Sequence, residues 1–187
     1  MENRIAFTVP VSLKSLSQVL SNLELLFRLN IQWHLKAHNF KIPLSMTDSY
    51  HCTLYLERVD RLIDYEVKID YSSDFSHLMI TLEGDLPRKF QFRLLERDGG
   101  SYIELEEIRN NLTKEEIMEL NLWLKSIINY AMILESSKTV TKAWKFFLDK
   151  VYLKLSPTGR RIVFLVVISE IFALLFFILL LLYFLIF

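Results

Sequence analysis

The last 26 residues, Ile162 to Phe187, read IVFLVVISEIFALLFFILLLLYFLIF and carry polar side-chain atoms only at Ser169, Glu170 and Tyr183. A hydrocarbon core of roughly 30 Å takes about 20 apolar residues as a helix. This run is long enough to cross one with some tilt. A helix apolar on every face otherwise needs a core around it, and the preceding 161 residues have the patterning to build their own. One membrane-spanning helix over 162–187 is therefore expected, with everything before it on one side of the bilayer.

The flank sets the side. From Lys138 to Arg161 the bases are Lys138, Lys142, Lys145, Lys150, Lys154, Arg160 and Arg161, against the single acid Asp149. Basic residues beside a span favour the cytoplasmic face, where anionic lipid attracts each by about 1 kcal/mol. Lys150, Lys154, Arg160 and Arg161 are the expected headgroup contacts. Residues 1–137 hold 15 Lys/Arg and 20 Asp/Glu, a net of −5, whereas 138–161 carry a net of +6. An acidic main domain argues against nucleic acid, which wants a basic patch. Cys52 is the only cysteine, so no intrachain disulfide forms. MENRIAFTVP has no long apolar run, so no signal peptide is expected. The expectation is a tail-anchored, single-pass membrane protein with its N-terminal domain cytoplasmic.

Upstream, the hydrophobic period changes along the chain. Ile5, Phe7 and Val9 alternate as a short strand, which Pro10 ends. Ser12 caps a short helix burying Leu13, Leu16, Val19 and Leu20. A second short helix runs from Asn22 to Leu29. After Asn30 the period is two. Ile31–Phe40 puts Trp33, Leu35 and Ala37 on one face, and Tyr50–Arg58 aligns Tyr50, Cys52, Leu54 and Leu56. Leu62–Tyr71 aligns Ile63, Tyr65, Val67 and Ile69 against acids and a lysine, a strand with one wet face. Strands over His77–Glu83, Phe90–Arg97 and Tyr102–Ile108 follow, with Asp98-Gly99-Gly100 as a hairpin turn. Short links predict an antiparallel meander. Thr113 and Glu116 form a capping-box pattern, opening a long helix with Leu120, Leu124, Ile127, Ile128 and Ala131 on its apolar stripe. Ser136-Ser137 breaks it. Lys142–Leu155 is a further helical segment, and Ser156-Pro157-Thr158-Gly159 reads as a joint before the span.

The opening IAFTVPVSLKSLSQVLSNLELLFRLN, with Arg28-Leu29-Asn30 and then Trp33, resembles the opening of the START-like, or SRPBCC, superfamily. There a strand leads through a "vp" turn into two short helices. The resemblance covers about residues 3–136. It implies an α+β helix-grip fold, a curved antiparallel sheet around a long C-terminal helix with an apolar cavity between them. A tail-anchored member is also distantly similar to the G-like proteins of carbon monoxide dehydrogenase, a membrane-tethered branch of this superfamily. The expected organisation is a helix-grip domain over 1–137, a basic amphipathic juxtamembrane helix and joint over 138–161, and a transmembrane tail anchor over 162–187.

Catalytic signatures are missing. The four glycines, Gly84, Gly99, Gly100 and Gly159, make no phosphate loop. His34 and His38 on a strand stand about 13 Å apart, too far for joint metal ligation. His51 and Cys52 point to opposite faces, which spoils a Cys–His pair. No carboxylate spacing selects an acid–base pair, so no catalytic residue, metal or cofactor is expected. What remains is an aromatic interior. Phe7, Trp33, Tyr50, Tyr65, Phe90, Phe92, Tyr102, Trp123 and Tyr130 either fill a core or line a cavity for an apolar ligand. Glu170 lies roughly 12 Å into the apolar run. Either the span begins near Ile171 and leaves Glu170 at the interface, or Glu170 is a buried acid that meets a partner's transmembrane helix.

Two functions fit these features. One is a membrane-tethered binding protein for a hydrophobic small molecule such as a lipid, quinone or isoprenoid. The other is an accessory subunit that docks on a membrane-protein partner through its span. An enzyme of the cyclase or hydratase kind has no residue here that stands out as its acid or base.

Overall fold

A computed structural model describes residues 4–46, 48–109 and 111–186, the side chains of 184–186 excepted. Phe187, the last residue of the expected tail, lies outside it. The elements run β1 (Arg4–Val9), α1 (Leu13–Leu20), α2 (Leu23–Arg28), β2 (Trp33–His38), β3 (Tyr50–Leu56), β4 (Arg61–Tyr71), β5 (His77–Glu83), β6 (Arg88–Arg97), β7 (Gly100–Glu107), α3 (Lys114–Glu135), α4 (Thr139–Lys150) and α5 (Pro157–Ile186). Single 3-10 turns lie at Glu57–Val59 and Tyr152–Lys154.

The seven strands form one antiparallel sheet in the order β1-β7-β6-β5-β4-β3-β2. The meander from β2 to β7 follows chain order, and β1 pairs with β7 to complete the edge. The β6–β7 hairpin closes through Asp98-Gly99, with Arg97 opposite Gly100. Gly99 sits at φ +81°, where a Cβ is costly. One parity of β4 (Ile63, Tyr65, Val67 and Ile69) is buried and the other exposed, as its alternation predicts.

α3 lies across the buried face of the sheet. Thr113 Oγ1 accepts from the Glu116 amide at 3.2 Å, and Glu116 Oε2 accepts from the Thr113 amide at 2.9 Å, so the capping box forms. Leu120, Trp123, Leu124, Ile127 and Ala131 are wholly buried. α1 and α2 cover the rest, capped by Ser12 and Asn22. Trp123 Nε1 donates to the Leu26 carbonyl at 2.9 Å, which ties α2 to α3. The arrangement is the α+β helix grip.

Two expectations change. A bulge between Leu35 and Ala37 shifts the β2–β3 register, so Ala37 opposes Thr53 and His38 opposes Cys52. Ala37 thereby leaves the inward set. His38 turns inward, stacks on Phe40 at 5.0 Å and lies 3.6 Å from Glu24, so His34 and His38 share no face. Second, Ser156–Gly159 does not interrupt the last helix. Pro157 suits the first turn, where its missing N–H costs nothing. Ser156 Oγ accepts from the Gly159 amide at 3.1 Å as a cap. The break lies just before, at Val151–Ser156, and α5 runs unbroken through Arg160 and Arg161. Its Pro157–Tyr183 stretch is long and apolar enough to cross a bilayer.

Trp123 is the largest side chain that α3 inserts into the sheet. Trp123→Ala should lower the stability of the detergent-solubilised chain by about 3–5 kcal/mol, read as a shift of the urea midpoint. A loss under about 1 kcal/mol would mean that α3 is not held by this contact.

Candidate functional site

Rings occupy the space inside the grip. The Trp123 ring lies 5.0 Å from Trp33, 5.2 Å from Phe90 and 5.5 Å from Phe92, and Phe27 meets Trp33 edge-on at 5.6 Å. Tyr50 and Tyr65 are equally buried, and both hydroxyls have partners. The Tyr50 hydroxyl accepts from the Ser45 amide, and the Tyr65 hydroxyl donates to the Leu86 carbonyl. Burial pushes the Tyr65 phenol, and likewise the Cys52 thiol, up to about 12. Phe7 is half-buried at the sheet edge, under Lys125. Tyr102 belongs elsewhere. The inward set of β7 is Ser101, Ile103, Leu105 and Glu107, so Tyr102 faces out, beneath Arg97, and donates to Glu104. It is not a lining residue of the interior.

One end of the grip is charged. Arg88 forks onto Glu107 (Nε to Oε1 2.9 Å, Nη2 to Oε2 2.8 Å) and reaches Glu119 at 3.1 Å. Its guanidinium sits over the rings of Trp33 and Phe90, at 5.3 and 4.9 Å. Glu119 also accepts from Trp33 Nε1 at 2.9 Å and Asn30 Nδ2 at 3.3 Å. Outward, Glu107 lies 3.9 Å from Arg109, and Arg109 2.5 Å from Glu116. Arg58 then stands 2.8 Å from Glu116 and 4.0 Å from Glu119. Three arginines and three glutamates thus alternate in a closed, neutral ring. Burial lowers the tendency of Arg88 to hold its proton, but Glu107 and Glu119 outweigh that and raise it. Burial alone would raise the Glu116 carboxyl; the Thr113 amide, Arg109 and Arg58 bring it down to about 2. Sequence reasoning missed this ring, though a signal was present. Arg88 continues the inward parity of Phe90 and Phe92, Glu107 that of Ile103 and Leu105, and Glu119 lies one turn before Trp123. Charges at core parity imply partners.

The larger apolar hollow lies outside the grip, at the root of α5. A groove of about 880 Å³ runs between the outer side of α3 (Leu122, Ser126, Asn129 and Ile133), α4 (Trp144 and Leu148) and α5 (Phe164 and Leu165). Its size is in the range of small-molecule sites, roughly 300–1,000 Å³. Of the nine aromatics singled out by sequence, only Tyr130 borders it. The Tyr130 hydroxyl donates to Asp149 at 2.6 Å, joining α3 to α4.

Arg160 and Arg161 also line this groove. Arg160 is 5% exposed, not the open headgroup contact its place in the collar suggests. Its Nε, Nη1 and Nη2 donate to the carbonyls of Leu155, Asn30 and Leu153, at 3.1, 3.2 and 3.0 Å. Arg161 and Thr158 both reach Glu57, at 2.7 and 3.0 Å. The root of α5 is therefore bolted to the domain rather than jointed. Lys150 and Lys154 are exposed, as is Glu170 on the far part of α5.

No protein-family model matches the chain, and no curated protein matches it by sequence. Solved structures do. Protein CV1439 from Chromobacterium violaceum superposes with a TM-score of 0.54 at 10% identity, over 68% of this chain and 95% of that one. TTHA0849 from Thermus thermophilus superposes with 0.54 at 12%, over 73% and 100%. The di-domain ARO/CYC StfQ from the steffimycin biosynthetic pathway gives 0.52 at 11%, over 71% of this chain and 45% of that one. At such identities the likeness establishes a shared fold.

The Glu116 carboxyl, held near 2 against an ordinary 4.5, contributes stability that is complete above pH about 4.5 and lost as pH falls toward about 2. Glu116→Gln should therefore be less stable than the parent at neutral pH, by on the order of 3 kcal/mol, and the gap should close as pH drops through that window. Urea titrations across the window check this, and a gap that stays constant would count against it.

Proposed function

We propose that this chain is a membrane-anchored member of the START-like superfamily that binds a hydrophobic molecule at the cytoplasmic face of a bilayer. The carrying observation is the apolar groove between α3, α4 and α5. The usual cavity of a helix grip is here filled by Trp33, Phe90, Phe92 and Trp123, so the binding volume moves to the outer side of α3. The groove sits where the apolar helix leaves the domain, so a lipid, quinone or isoprenoid reaches it from the bilayer without crossing water. α4 supports the same reading. It buries no residue, and Val140, Trp144 and Phe146 lie exposed among its lysines, as in a helix resting at a membrane surface. StfQ, an ARO/CYC protein of a biosynthetic pathway, is a neighbour by fold whose scaffold is compatible with this class of ligand.

The full chain, purified in mild detergent, should carry an extractable apolar molecule by native mass spectrometry. Leu148→Glu, which puts a charge in the groove wall, should lose it. The same occupancy in both proteins would place the molecule elsewhere, and empty protein across preparations would remove the reading.

A second reading rests on Ser169 and Glu170. Both lie on α5, and Glu170 is exposed about 15 Å beyond Arg160. A carboxyl at that depth is costly unless another helix supplies a polar or basic group. In this reading the chain is an accessory subunit that docks through its span. Glu170→Leu should then abolish co-purification of a membrane partner from mild detergent. A chain that runs as a monomer with or without Glu170 would sink it.

A further inference from the structure

We propose that the groove at the root of α5 takes an acidic membrane lipid, with its phosphate or carboxylate head on Arg160 and an acyl chain along Ile133, Leu148 and Phe164. This deepens the hydrophobic-ligand reading above and rests on it.

The argument begins with charge. Arg88, the other deeply buried arginine, has two carboxylates in contact. Arg160 is as buried, yet among the described residues no carboxylate lies within 4.0 Å of it. Its three bonds go to neutral carbonyls, which satisfy donors but bring no counter-charge. A guanidinium has five N–H donors, so two remain. A buried charge without an opposite charge is expensive, and this one borders an apolar groove. The surroundings do not neutralise it. His34 is pushed below its ordinary value by burial and then by Lys36, Arg160 and Arg28, so this corner of the domain is electropositive. Arg161, on the same groove, spends its charge on Glu57.

The walls choose the occupant. A free anion has no use for Ile133, Trp144, Leu148 and Phe164, whereas a membrane lipid has both a head for Arg160 and chains for these. Phe164 and Leu165 belong to the helix that would enter the bilayer, so the groove floor is continuous with the acyl layer. Exposed Lys150 and Lys154 enrich acidic lipid nearby. They lie outside the groove and make no such fit.

The test uses the full chain in phosphatidylcholine nanodiscs doped with either phosphatidic acid or the diacylglycerol of the same chains, two probes that differ only by the phosphate. Lipid retained after transfer to detergent is counted by native mass spectrometry. The expected result is one phosphatidic acid per chain, held about tenfold more tightly than diacylglycerol, the ratio of one charged hydrogen bond. Arg160→Gln should erase this preference. Because Arg160 also braces α5, Asn129→Asp provides a second variant. It is isosteric, exposed, and puts a competing carboxylate on the groove rim, so it should weaken phosphatidic acid severalfold and leave diacylglycerol unchanged. Inorganic phosphate added in solution should not displace the lipid. Equal retention of the two lipids, or phosphatidic acid unaffected in both variants, overturns the acidic-head assignment while leaving an apolar groove. Retention of neither lipid removes the groove reading itself.

Discussion

The alternating ring of Arg88, Glu107, Arg109, Glu116, Arg58 and Glu119 is the interaction on which the other parts depend. It joins β6, β7, the turn after β3 and the first turns of α3 at one place. Each charge has an opposite on either side, so the ring closes without excess. Burial makes this closure compulsory: a lone carboxylate at Glu107 or Glu119 costs far more than any surface pair returns. Once Glu119 is fixed, Trp33 and Trp123 have fixed neighbours, and the rings inside the grip pack in one arrangement.

Asn30 carries the ring's influence to the tail. Its amide donates to Glu119, and its carbonyl accepts from Arg160. A residue with no exposed surface thus stands between the charged end of the grip and the first turn of α5. With Glu57 holding Thr158 and Arg161, the tail leaves the domain at a set angle. That angle makes the groove, because α3, α4 and α5 keep their separation only if the root of α5 is held.

Much of this fold is legible from alternation and caps. The parity of β4, the Asp98-Gly99 turn, the Ser12 and Asn22 caps and the Thr113–Glu116 box are each decided within a few residues, and each appears where the pattern puts it. The bulge after Leu35 is not legible, because it depends on how β2 meets β3 and not on β2 itself. Tyr102 faces out because aromatic character says nothing about which face a strand presents, whereas the inward parity of Ile103 and Leu105 does. The proline at 157 reads as a break in a linear scan, yet with Ser156 as cap it starts a helix.

What the sequence alone determined is local or compositional: the strand and helix periods, the resemblance to helix-grip proteins, and a terminal helix too apolar for water. Those follow from each segment's own pattern of polar and apolar side chains. Tertiary structure decided the rest. It brought together six charges from four distant segments, filled the grip with rings, buried Arg160 among carbonyls and opened a groove behind α3. These depend on distances between residues far apart in the chain, and only packing and the pairing of buried charge set such distances.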